Sequence, residues 1–133
     1  MRIIGYVCTH AGYAAADLAG EQRLRYSADV TLIQVPCLGR VDVTHFLRAF
    51  REGADAVFVA GCLEGNCHHH YGNFEAKKKV AQGKRILNDI GLGSERLEMF
   101  NVASNQAWLF KEVVDEMTAR ATRLAPNPLG ARN

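Results

Sequence analysis

The sequence has no Cys-x-x-Cys pair, which stands against a thioredoxin-like redox motif and against paired zinc knuckles. It has no Gly-x-x-x-x-Gly-Lys phosphate loop and no Gly-x-Gly-x-x-Gly cradle. The segment Ala11-Gly12-Tyr13-Ala14-Ala15-Ala16 falls where a flavodoxin would keep its phosphate loop, but it is too poor in Ser and Thr to hold a flavin phosphate. Net charge is also small: a formal +2 with no basic stripe gives no footprint for nucleic acid. No stretch approaches the length of a membrane span. The opening run Met1-Arg2-Ile3-Ile4-Gly5-Tyr6-Val7 is too short for a signal peptide. A cytoplasmic location is therefore expected, and in that reducing compartment cysteines serve metals or catalysis more often than disulfides.

What is present is one domain's worth of chain, 133 residues with 48% hydrophobic and 23% charged, an ordinary globular composition. Short apolar runs alternate with helical patterns. Strands are expected at 2–7, 30–35, 56–60 and 96–102. The second of these is ended by Pro36. Helices are expected at 14–24, 42–50 and 74–90, and from about Ser104 onward. Asp42 is the expected cap of the second helix, Phe46, Leu47 and Phe50 share one of its faces, and Gly53 stops it. Gly91 stops the third. The fourth has a periodic set, Trp108, Leu109, Val113 and Met117, that places Trp108 in the core. The alternation implies an α/β fold, a doubly wound parallel sheet of about four strands in the flavodoxin-like or Rossmann-like class. Residues 1–124 form a single α/β domain in this reading. Residues 125–133, with Pro126, Pro128 and Gly130, form an extended C-terminal tail laid along a partner or frayed.

The four cysteines fall at particular places in this pattern. Cys8 follows the first strand, Cys37 lies just beyond the second and Cys62 just beyond the third. All three are thus expected on the carboxyl rim of the sheet, where open α/β sheets bind ligands. With the order 2-1-3 the strand ends would be about 4.8 Å apart, within reach of one small cofactor. Cys67 belongs to the loop after the third strand, and Cys62-x4-Cys67 echoes the first pair of plant-type [2Fe–2S] ligation. A lone cysteine at a strand end is more often a small hydrophobe. Four on one rim favour a shared thiolate site, for iron–sulfur ahead of zinc.

Other residues nearby admit two readings each. His68 is the best candidate of His68-His69-His70 to tune the site through an N–H group, whereas His69, His70 and His10 read as loop residues. Gly39 and Gly65 would let backbone N–H groups approach sulfur, and Arg40 would offset an anionic cluster or stay in solvent. The run Lys77-Lys78-Lys79 reads as the solvated face of a helix. A cysteine enzyme built on Cys62 or Cys67 with His68 lacks a third, orienting residue.

Several stretches together resemble one family, the delta (iron–sulfur) subunit of methyl-viologen-reducing, F420-non-reducing hydrogenase. They are Ala16-Asp17-Leu18-Ala19-Gly20 with Arg23 and Tyr26; Cys37-Leu38-Gly39-Arg40-Val41-Asp42; Gly53-Ala54-Asp55; Gly61-Cys62-Leu63-Glu64-Gly65-Asn66-Cys67-His68; and Gly72-Asn73 with Glu95-Arg96-Leu97. The resemblance implies a non-catalytic electron-relay subunit with one [2Fe–2S] cluster on Cys8, Cys37, Cys62 and Cys67. It would pass electrons from a hydrogenase or formate dehydrogenase type of module to a heterodisulfide-reductase-A-like flavoprotein, within an obligate hetero-oligomer of anaerobes. The alternative is a zinc-binding or cluster-free structural docking component of such a complex. The family commonly shows Cys-x-x-Cys after the first strand. Here the second position is Ala11, which leaves four cysteines, enough for one cluster with none spare.

Overall fold

A computed structural model of the chain describes residues 1–9, 12–21, 29–61 and 72–129. Within them four strands, β1 (Ile3–Cys8), β2 (Val30–Val35), β3 (Ala56–Gly61) and β4 (Leu97–Asn101), pair in the order β2-β1-β3-β4, every pair parallel. The helices are α1 (Gly12–Glu21), α2 (Val43–Arg51), α3 (Gly72–Asp89) and α4 (Ala107–Arg123), with single 3-10 turns at Leu38–Arg40 and Ser94–Arg96. The expected α/β class and strand number are therefore found. No described helix is long and apolar enough to cross a membrane.

The two central strands explain the layering. Every residue of β1 and of β3 is buried, because each strand has a neighbour on both sides and helices on both faces. Alternation then sorts their side chains. Ile4, Tyr6, Val57 and Val59 meet Phe46 and Phe50 of α2 and Val80 and Leu87 of α3. Ile3, Val7, Phe58 and Ala60 meet Ala15 and Ala19 of α1 and Phe110, Val114 and Met117 of α4. The alanines of α1 are small enough to let that helix lie close to the sheet. By contrast the edge strand β2 alternates between half-buried and exposed positions over most of its length.

Local signals set the helix ends. Asp42 caps α2 through a capping box in which His45 Nδ1 accepts the Asp42 N–H at 2.8 Å. Gly53 and Gly91 both take positive φ just past α2 and α3, as the stops at those positions require. One expectation fails in α4: Trp108 is 62% exposed, not core. The buried stripe runs through Ala107, Phe110, Val114, Met117 and Ala121. Trp108 instead leads the opposite row, with Glu112 four and Asp115 seven residues on, and Lys111 Nζ stands 5.8 Å from its ring centroid.

The tail also differs from expectation. Residues 125–129 are tied to the chain's own body at the amino ends of the strands. Asn127 is 2% exposed; its Nδ2 donates to Phe50 O and Ala54 O, both at 2.7 Å, and its N–H to Asp55 Oδ1 at 2.9 Å. Arg96, 4% exposed, donates to Leu92 O, Asp55 O and Ala125 O. Asp55 Oδ2 accepts the Arg2 N–H at 2.9 Å. This polar floor closes the sheet at the pole opposite Cys8 and Cys37.

On β4, Glu98 braces the two flanking helices. Its carboxylate accepts from Lys84 Nζ of α3 at 2.8 Å, Met99 N at 3.2 Å and Arg120 Nη1 of α4 at 3.3 Å. Burial alone would raise its pKa, but these donors outweigh burial and hold the carboxyl below the ordinary glutamate value. A depressed carboxylate contributes stability above its unfolded pKa, roughly 4.3, and loses that contribution as pH falls through its lower folded value. Glu98→Gln should therefore melt below the wild type at pH 7, with the two curves converging as the pH drops below about 4. A gap that persists unchanged at a pH of about 3 would mean that the brace does not depend on charge.

Candidate metal centre

Cys8 is the last residue of β1, and Cys37 lies two residues past β2. Both therefore stand on the carboxyl rim, and they are only 3% and 7% exposed. Cys62 follows β3 in sequence, but Cys62, Cys67, Gly65, His10, Ala11, His68, His69 and His70 lie outside the described residues. The three strands that lead to Cys8, Cys37 and Cys62 are neighbours, in the order 2-1-3 on which the spacing of their ends was conditional.

Each described thiol is met by a backbone N–H. Gly12 N donates to Cys8 Sγ at 3.5 Å from the first turn of α1, whose N-terminal end favours negative charge on sulfur. Gly12 can only be glycine in this packing: a Cβ there would sit 2.3 Å from Ala60 O, at the end of β3. Gly39 N donates to Cys37 Sγ at 3.4 Å, so that Cys37 caps the turn Leu38–Arg40 with its own sulfur. The rim itself is sewn together by backbone bonds, Thr9 N to Val35 O at 2.9 Å and Val102 N to Gly61 O at 2.7 Å.

The strand ends converge at Gly61, the residue before Cys62. A Cβ on Gly61 would lie 2.2 Å from Leu38 Cδ1 and 3.5 Å from Cys8 Sγ. The neighbour of Cys37, the sulfur of Cys8 and the residue leading into Cys62 thus meet at one point. Among the described residues no three His, Cys, Asp or Glu side chains form a metal-holding group. The donor chemistry nonetheless fits a soft metal: two nearly dry sulfurs on one rim, each accepting from a peptide N–H, suit thiolate ligation of an iron–sulfur centre.

Of the other residues singled out by sequence, Gly39 turns its N–H toward Cys37 Sγ and Arg40 is exposed. Lys79 departs from the solvated face assigned to its run: it is half-buried, and its Nζ donates to Gly39 O at 2.7 Å. Gly12 and Lys79 are the two residues that sequence reasoning missed. Gly12 carried a faint signal in the spacing Cys8-x3-Gly12 immediately ahead of an alanine-rich helix, a segment weighed only for phosphate. Lys79 carried none.

Comparison with known proteins gives the kinship. The family model for the methyl-viologen-reducing hydrogenase delta subunit matches residues 3–125. The vhu iron–sulfur subunit of the F420-non-reducing hydrogenase of Methanococcus maripaludis is 51% identical over 129 residues, covering 97% of this chain and 96% of that protein. Its counterpart in Methanocaldococcus jannaschii is 45% identical over 130 residues, 98% of this chain and 97% of that one. A different kind of relative is a component of the ferredoxin/F(420)H(2)-dependent CoB-CoM heterodisulfide reductase of Methanosarcina acetivorans. It is 34% identical over 124 residues that cover 93% of this chain and only 16% of the longer protein. With a family model spanning nearly its whole length and near full-length relatives at such identity, this chain belongs to the methyl-viologen-reducing hydrogenase delta subunit family.

Proposed function

We propose that the chain is an electron-relay subunit holding one [2Fe–2S] cluster on Cys8, Cys37, Cys62 and Cys67. The observation that carries this reading is the pair of buried sulfurs, Cys8 and Cys37, on one rim of the sheet, each accepting a peptide N–H. The cluster, when bound, takes up and gives back one electron at a time. The chain's own residues do the rest. Cys8 and Cys37 supply ligands from rigid strand ends. Gly12 and Gly39 direct N–H groups at sulfur, which favours the more negative, reduced state. Leu38, packed over Gly61, keeps water from the sulfurs. His68, Arg40 and Gly65 remain candidates to tune the same centre. On this reading the bond-making steps fall to partner subunits.

The partners follow from the relatives. Several are named as iron–sulfur subunits of F420-non-reducing hydrogenases, which supports a hydrogenase-type donor and a complex of several subunits. A matching segment inside a much longer heterodisulfide reductase component supports a heterodisulfide-reductase-A-like flavoprotein as the acceptor. Anaerobic reconstitution of the full chain should yield about two iron and two sulfide per chain and an EPR signal on reduction. Iron below about half an equivalent sinks the cluster. Zinc near one equivalent in its place would establish the structural docking alternative.

A further inference from the structure

The three lysines of α3 are not equivalent. Lys77 and Lys78 are exposed, and Lys78 Nζ lies 3.7 Å from Glu75 at the surface. Lys79 is half-buried and reaches across to the turn that carries Cys37, where it donates to Gly39 O at 2.7 Å. The same Gly39 gives its own N–H to Cys37 Sγ at 3.4 Å. Two hydrogen bonds through one residue therefore lead from an ammonium group to a sulfur ligand. Such a clamp fixes the turn against α3 and, being partly withdrawn from water, leaves its charge less screened than a surface lysine's.

We infer that Lys79 is a positioning residue that holds the Cys37 turn and raises the reduction potential of the centre. The inference rests on the cluster reading above. Uptake of one electron adds one negative charge beside Cys37 with no bond made or broken, and a fixed cation nearby favours that state over the oxidised one.

The test is a redox titration, dithionite supplying the electron and EPR reading the reduced fraction, on the full chain reconstituted anaerobically. Wild type, Lys79→Met and Lys79→Arg are compared, with iron content and circular dichroism measured on each. At a fixed poise Lys79→Met should favour the oxidised form at least threefold more than wild type, a fall in midpoint of about 28 mV for one electron. Lys79→Arg, which keeps the charge and a donor, should stay near wild type. Should Lys79→Met lose iron instead, recovery of full iron in Lys79→Arg supports the positioning role, and failure to recover it overturns that role. An unmoved midpoint in a fully loaded Lys79→Met overturns the inference alone, as does an equal shift in Lys79→Arg. A wild type that takes up no iron overturns the cluster reading and this inference with it.

Discussion

Cys37→Ser should strip the chain of iron and leave it folded. The two halves of that expectation come from different properties of one side chain. Cys37 Sγ caps the turn Leu38–Arg40 by accepting the Gly39 N–H, and serine is among the best residues for that role. The hydroxyl is also smaller than the thiol, so a site 7% exposed accommodates it without strain. As a ligand, however, a serine oxygen is hard and protonated at neutral pH where the cluster needs soft thiolate. Iron should fall from about two equivalents to below half an equivalent per chain, while far-UV circular dichroism stays unchanged. Cys8→Ser should behave alike, since its hydroxyl can still accept the Gly12 N–H. With four cysteines in the chain and none spare, a serine variant that keeps full iron would remove that position from the ligand set.

Arg96→Met should act in the opposite sense, on stability and not on iron. The guanidinium reaches three carbonyls, those of Leu92, Asp55 and Ala125, in a site that is 4% exposed. Methionine fills much of the volume but leaves those acceptors without their charged donor. Hydrogen bonds from charged groups contribute roughly 1.5–3 kcal/mol each, and buried acceptors left bare add to the loss. The contributions are not additive, and a net cost of about 3 kcal/mol is expected, a fall in Tm on the order of 10 °C. Because the floor lies at the far end of the strands from Cys8, iron per folded chain at low temperature should match wild type. A Tm drop of less than about 3 °C would mean that the carbonyls find other partners.

The part of the molecule legible in sequence is the part governed by neighbours. The strand Val30–Val35 stands where its β-branched run ends at Pro36; Asp42 caps α2 because a carboxylate three residues ahead of His45 makes a capping box; the rim placement of Cys8 and Cys37 follows from strand ends alone. What escaped depends on distant atoms. Asn127 finds Phe50 O and Ala54 O across more than seventy residues, so a segment rich in Pro and Gly reads as loose although it is pinned. Trp108 escaped for another reason. The first turns of α4 offer two rows of apolar residues with similar spacing, and only the sheet beneath decides which is buried. Lys79 looked like its two neighbours because a lysine run carries no information about which member meets a carbonyl. The segment with Cys62, Gly65, Cys67 and His68 lies outside the described residues, so its reading rests on spacing and kinship.

The floor at the amino pole is built so that most of its acceptors are main-chain oxygens: those of Phe50, Ala54, Asp55, Leu92 and Ala125. Every amino acid brings such an oxygen. Positions 50, 54, 92 and 125 can therefore drift in identity, within the limits of size, without loosening the clasp. The chemical identity that matters is concentrated in three side chains, Arg96, Asn127 and Asp55, the last through its carboxylate. A partner domain grafted to either end of this chain could thus rewrite most of the surrounding surface and still inherit a closed base.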